Sequence, residues 1–201
     1  MYLRKDEAMA RSAVNTRSRI LQTARTLYSA HGCDTTTLED IITAAGITKG
    51  AFYHYFKSKE SLCEAVMDQV IKDYQQLAAT LNNDAEPIDQ LREMITKLAR
   101  LNASGEWVNC RLVLRLSADC HQSHPQVQRR LRDFWHWETS FFEELITRCI
   151  AAGQLNSRLD AKTQTHLLLA VMAGAISLNR MEPSEPLLSV LCESVIDLLR
   201  A

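Results

Sequence analysis

Lys49, Tyr53, His54 and Tyr55 fall within one short stretch, and between them they can donate to or accept from almost any polar edge. No Ser/His/Asp triad, glycine-rich phosphate loop or carboxylate pair can be read in register anywhere in the chain, so the chemistry on offer is recognition and an enzyme is not expected. The stretch sits inside Thr37–Lys59, TLEDIITAAGITKGAFYHYFKSK. Thr37 can cap a first helix, with Asp40 placed to reach back to it. Leu38, Ile41, Ile42 and Ala45 then recur at helical spacing. Gly46 permits a left-handed stop, Ile47 fills the corner, and Thr48 can cap a second helix from Lys49. Phe52 and Phe56, four apart, face inward. The outward face keeps Lys49, Tyr53, His54 and, to one side, Tyr55. A solubilising face would carry Glu and Lys; aromatics with hydrogen-bonding tips beside a lysine and Gly50 suit contact. The segment, about 37–56, reads as a helix-turn-helix whose second helix is expected in a DNA major groove.

Two other clusters carry potential chemistry. Cys110 and Cys120 lie in NCRLVLRLSADCHQSHP, where Arg111, Arg115 and a helix start can favour a thiolate. A buried, inert cysteine is the alternative. Ten residues of continuous helix span roughly 15 Å, so these two sulfurs cannot join without local unfolding. The segment FWHWETSFF holds Trp135, His136, Trp137 and Phe141, which with Trp107 can line an apolar effector pocket or simply form core.

The run GITKGAFYHYFKSKESL closely resembles the helix-turn-helix signature of the TetR family of transcriptional regulators, in its turn glycine, Thr cap, F-Y-x-Y-F core and K-x-K-E-x-L. The likeness extends back through ILQTARTLYSAHGCDTTTLEDI and covers roughly residues 16–65. It implies that Thr48, Lys49, Gly50, Tyr53 and His54 meet bases or nearby phosphates, and that Thr37, Tyr55 and Lys59 meet phosphates. Free N–H groups at helix starts and a lysine able to reach guanine acceptors agree with those roles. For Tyr55 a partly buried ring with a satisfied hydroxyl is the alternative. The Cys110 segment resembles a subgroup of that family that senses electrophiles or oxidants through cysteine. It shares a Cys at the helix start, an L-S-A triplet and a second Cys ten residues on.

The elements that must position these residues are all helical. A first helix is expected from about Asn15 to His31, with Ile20, Leu21, Ala24, Leu27 and Tyr28 inward. Ser58 caps a long fourth helix with Leu62, Val66, Val70, Tyr74, Leu77 and Leu81 inward, and Asn82–Glu86 is a linker. Pro87 opens the next helix, which Ser104–Gly105 breaks. Glu106–Cys120 is a further helix, Pro125 starts another that stops at Gly153, and Asp160 caps one ending near Arg180. Pro183 and Pro186 bracket the last turn. The result is an all-α chain of about nine helices: a three-helix DNA-binding head, 13–60, on a larger helical sensing and dimerisation body, 61–201. The last two helices are apolar over more than one face, and Ala170, Ala173, Gly174 and Ala175 permit close approach of another helix. A homodimer seam there is expected, because a helix-turn-helix needs a second half-site.

Bulk composition bounds the class. With 201 residues, 46% apolar and 23% charged, the chain suits a folded, mostly helical protein. Its net charge of −1 conceals an excess of three positive charges over residues 1–60 and four negative charges over 61–201. A basic head on an acidic body suits a polyanion partner. No signal-peptide core is present, and the apolar run Leu167–Leu178 is too short to span a bilayer, so a cytoplasmic location without membrane contact is expected. The six cysteines show no zinc-type spacing, and neither a metal, a cofactor nor a structural disulfide is expected. These features point to a DNA-binding regulator, most simply a repressor that binds a palindromic operator as a dimer and is released by a small molecule or electrophile. The alternative is a helical ligand-binding or redox-sensing module acting mainly through a protein partner.

Overall fold

The computed structural model describes residues 2–105, 107–119, 124–158, 160–179, 181 and 187–200, with backbone alone for 2–15 and 119. Among the described residues there are nine α-helices and no strand, as expected. They are α1 (Tyr2–His31), α2 (Leu38–Ala45), α3 (Lys49–Tyr55), α4 (Lys59–Ala78), α5 (Pro87–Ser104), α6 (Asn109–Asp119), α7 (Pro125–Ala151), α8 (Ala161–Leu178) and α9 (Leu187–Arg200). The chain divides into two compact units, Met1–Val70 with Leu112–Leu131 and Ile71–Arg111 with Arg132–Ala201, and α4, α6 and α7 each run through the division.

In the first unit α1 begins much earlier than Asn15. Ile20, Leu21, Ala24 and Tyr28 are buried, as are Ile41, Ile42 and Ala45 of α2, Phe52 of α3 and Leu62, Val66 and Met67 of α4. Leu27 and Leu38, expected inside, are only half-buried. Three turns between helices 1 and 4 are held by local chemistry. Thr37 and Asp40 complete a reciprocal capping box. Gly46 adopts φ 59°, and Ile47 N–H returns to the Ile42 carbonyl at 3.2 Å, a Schellman-type closure that only a left-handed residue permits. Ser58 Oγ accepts from Ser61 N–H at 3.1 Å to start α4.

The second unit is a helical body. Leu91, Met94, Ile95 and Leu98 give α5 its buried stripe. Asp160 caps α8 through Thr163 N–H at 2.9 Å. α8 packs extensively on α9, and Arg92 of α5 grips Glu193 of α9 through Nε at 3.1 Å to both carboxylate oxygens. α4 ends at Ala78, short of the expected span, because Thr80 and Leu81 N–H groups bond to Leu77 and Ala78 carbonyls in a tighter turn. Leu81 is buried after that turn rather than on the helix. α6 begins at Asn109, three residues beyond Glu106. Cys120, Arg180, Pro183 and Pro186 lie outside the described residues.

Candidate functional site

The face expected to contact DNA is built from backbone constraints outward. Thr48 Oγ1 accepts from Ala51 N–H at 3.1 Å, which fixes the start of α3 where Lys49 and Gly50 stand. Phe52 is fully buried, and its ring meets Tyr53 edge-on at 5.4 Å, so burial of one aromatic orients its exposed neighbour. Tyr53 is 49% exposed, and Lys49, Gly50 and His54 are exposed with it. His54 packs edge-on against the half-buried Tyr55 at 4.8 Å. A Cβ at Gly50 would meet nothing closer than Thr48 Oγ1 at 4.0 Å, and the residue is not in the left-handed region. The fold itself therefore does not require glycine there. What the missing side chain leaves open is room for an external partner to approach the start of α3.

Thr37 is exposed, but its hydroxyl is already engaged, 2.7 Å from an Asp40 carboxylate oxygen while accepting Asp40 N–H at 3.1 Å. Those Thr37 bonds hold the Asp40 carboxyl below the usual carboxylate range. Lys59 corrects its expected role. Its ammonium donates to the carbonyls of Cys33 at 2.8 Å, Asp34 at 3.3 Å and Thr36 at 3.0 Å. All three N–H donors are thus committed inside the protein, and Lys59 pins the turn after α1 rather than reaching for a phosphate. Sequence reasoning missed Arg17, an exposed α1 residue whose guanidinium sits 5.3 Å over the Phe56 ring. The two residues are far apart in sequence and meet only in the folded chain.

The cysteine expectation is also corrected. Cys110 is buried, its Sγ lies 2.9 Å from the Tyr74 hydroxyl, and burial pushes its thiol up to about 11. That is opposite to the thiolate expected from neighbouring arginines. Arg115 instead donates to the His31 carbonyl at 3.2 Å, at the end of α1 where a cation is favoured. Arg111 is half-buried with no hydrogen-bond partner for its Nε among the described residues. Cys120 lies outside the described residues. Among the described residues the thiol that is lowered is Cys33, chiefly through Cys63 beside it, and both are buried.

Of the expected aromatic cluster, Trp107, Trp137 and Phe141 come together around Tyr74 and Phe134, whereas Trp135 and His136 do not join them. Trp135 is 45% exposed and stacks on His166 at 6.0 Å, and His136 is exposed. Neither lines an interior. The inward register of α7 is Phe134, Trp137, Glu138 and Phe141, spaced at 3, 4 and 7 from Phe134. Tyr74 is the hub, with ring centroids 5.6 Å from Trp107, 4.9 Å from Phe134 and 6.2 Å from Trp137. Trp137 stacks on Phe141 at 5.6 Å. Choosing the register that starts at Phe134 would have separated Trp137 from Trp135 in the sequence. No cluster of His, Cys, Asp and Glu suited to a metal occurs among the described residues, and no described helix is long and apolar enough to cross a membrane.

Comparison with known proteins agrees with this geometry. A family model described as bacterial regulatory proteins of the tetR family matches residues 20–66, which include the capped turn and α3. The probable HTH-type transcriptional regulator ArpR of Pseudomonas putida is 31% identical over 171 residues, 82% of this chain and 80% of that protein. The HTH-type transcriptional regulator UidR of Escherichia coli K12 is 26% identical over 171 residues, 84% of each chain. A TetR-family transcriptional regulator from Agrobacterium tumefaciens shares the fold with a TM-score of 0.86 over 94% of this chain and 100% of that one, at 21% identity.

Proposed function

Because the chain belongs to the TetR family of bacterial helix-turn-helix transcriptional regulators, we propose that it is a cytoplasmic homodimeric repressor that grips a palindromic operator and lets go when its body takes up an effector. The observation that carries this reading is α3, capped at its start by Thr48, with Lys49, Gly50, Tyr53 and His54 exposed along one end and face. Lys49 offers a donor to guanine, Tyr53 and His54 offer groups for a base edge or a thymine methyl, and Gly50 leaves the helix end free to enter the groove. Thr48, Thr37 and Tyr55 flank them at the phosphate backbone. Residues 13–60 form the DNA-binding head and 61–201 the sensing and dimerisation body in this scheme.

The dimer seam we assign to α8 and α9. Leu167, Ala170, Gly174 and Leu178 are exposed along α8, and Val190, Ser194 and Leu198 along α9, each at three- or four-residue spacing. A Cβ at Gly174 would meet nothing within 4 Å, so its surface is open to a second helix. Covering Leu and Val side chains left in water is worth about 1.5–3 kcal/mol apiece. An effector then acts by favouring a body conformation whose two heads are wrongly spaced for DNA. The test is binding to a fragment of the DNA neighbouring the protein's own coding region, by anisotropy across a salt series. Specific, steeply salt-dependent binding that competitor DNA does not remove supports the reading. Equal affinity for every fragment refutes it.

A further inference from the structure

The positive charge of the head does not lie where its helix-turn-helix does. Residues 20–60 carry Arg25, Lys49, Lys57 and Lys59 against Asp34, Glu39, Asp40 and Glu60, so their net charge is zero. Lys59 is moreover committed to the carbonyls of the turn after α1. Residues 1–19 carry Arg4, Lys5, Arg11, Arg17 and Arg19 against Asp6 and Glu7, which is the whole positive excess of the head. The family model begins at residue 20, so this stretch lies ahead of everything it matches. It is helix all the same, because α1 runs unbroken from Tyr2 to His31. About 15 residues of α1 precede Arg17, roughly 22 Å of helix. Two features of this extension are explained neither by helix formation nor by the core. Its first turn holds no acidic residue and instead has Arg4 and Lys5, which oppose the helix dipole. At about 3.6 residues per turn, Arg4, Lys5, Arg11 and Arg19 fall within roughly a third of the circumference. That side is opposite the buried stripe of Ile20, Leu21, Ala24 and Tyr28. Asp6 falls away from it, and Glu7, four before Arg11, can offset one charge at most. Arg17, off that face, sits 5.3 Å over Phe56 at the end of α3, so the extension begins beside the helix whose outer face is exposed.

We propose that α1 ahead of residue 20 is a second DNA-binding element, whose Arg4, Lys5, Arg11 and Arg19 hold phosphates of duplex DNA outside the stretch that α3 reads. The assignment rests on the DNA-binding reading above and names what supplies its electrostatic part. Charge balance is the reason. Each phosphate neutralised by a lysine or arginine releases condensed counterions, and that release supplies most of the sequence-independent affinity for DNA. A motif of zero net charge, with one of its four cations engaged internally, is poorly equipped to supply it. A row of bases along one face of a helix can follow a phosphate backbone without reading sequence, so it strengthens binding to every duplex alike. Three of the four are arginines, whose planar fork suits phosphate oxygens.

The test compares the full-length protein with the triple variant Arg4→Gln, Lys5→Gln, Arg11→Gln by anisotropy across a salt series. Two duplexes of equal length serve as probes, a fragment of the DNA neighbouring the protein's own coding region and a random sequence. The slope of log affinity against log salt should become shallower in the triple variant by about 2–3 per bound protomer on both duplexes. Affinity at low salt should fall at least about tenfold on both, with the ratio between them unchanged. Arg4→Lys with Arg11→Lys keeps the charges and should keep the wild-type slope. Lys72, Arg158 and Lys162, exposed in the second unit, provide a variant of equal charge change, and replacing all three by Gln should leave the slope as it was. The thermal midpoint of the N-terminal triple variant should not fall, since its substitutions precede the buried stripe and relieve the opposition to the helix dipole. An unchanged slope, an equal change in the second-unit variant, a loss confined to one duplex, or a lowered midpoint accompanying the loss overturns the proposal. So does tighter wild-type binding to a single-stranded RNA of the same length than to either duplex. A preference for the neighbouring fragment beside an unchanged slope removes this element alone. A shallower slope with no fragment preference in either protein removes the repressor reading and leaves the element standing.

Discussion

Replacing Glu138 by glutamine should make the ligand-free protein more stable at pH 8 and leave it nearly unchanged at pH 5. A glutamate ordinarily titrates at 4.5, and in the folded protein burial raises this group to about 7. Between those values the native state binds a proton that the unfolded chain has released, so stability falls as pH rises through the window. Above it, the fold carries the full cost of an enclosed charge, about 3 kcal/mol from a change of that size. Water entry and side-chain relaxation reduce the figure, and about 1–3 kcal/mol is the expected gap between variant and wild type at pH 8. Glutamine keeps the shape and cannot ionise, so its curve should lack this component of the pH dependence. Urea unfolding at fixed protein concentration, followed by circular dichroism at pH 5, 6, 7 and 8, gives the gap directly. The reasoning is refuted by parallel curves for the two proteins, or by a variant that is less stable than wild type at pH 8.

Lys49→Ala and Tyr53→Ala should each weaken specific operator binding by about 1–3 kcal/mol per half-site while leaving the folded dimer intact, read by anisotropy and sedimentation. Gly50→Ala separates function from stability: alanine should stabilise α3 by up to about 1 kcal/mol, read as a higher thermal midpoint, yet lower operator affinity by crowding the groove. Leu198, 72% exposed on α9, is suited to a test of the seam. Leu198→Glu should give a folded monomer in sedimentation at micromolar concentration, since a buried unpaired charge costs several kcal/mol. At pH 7 a thiol held near 11 is ionised to about one part in ten thousand, against a few per cent for an ordinary cysteine. Native Cys110 should therefore stay unmodified by iodoacetamide, as peptide mass spectrometry will show, and become reactive only in denaturant.

Local chemistry made the head legible in the chain. Thr37 with Asp40, Gly46 and Thr48 act within a few residues of themselves, and caps and left-handed turns depend on little else. The inward pair Phe52 and Phe56 and the outward Tyr53 and His54 follow from a helix period alone. The helix count followed likewise from prolines, glycines and apolar spacing. What failed depended on partners distant in sequence. Lys59 looked like a surface cation until the fold set three carbonyls from the turn after α1 around its ammonium. Trp135, His136 and Trp137 are adjacent letters, yet which of them faces inward depends on the face of α7 that Tyr74 covers, 60 or more positions away. Cys110 had arginines beside it in the chain and a tyrosine against it in space, and enclosure outweighed proximity in setting its acidity. The sequence by itself determined the number and type of the elements and the caps around α2 and α3, because hydrogen bonds over three or four residues decide those, whereas the start of α1, the end of α4 and the start of α6 lay elsewhere than it indicated. Only tertiary structure decided which charges are enclosed, which are spent internally and which remain for a partner. Desolvation depends on everything that surrounds a group, and a linear chain does not state its surroundings.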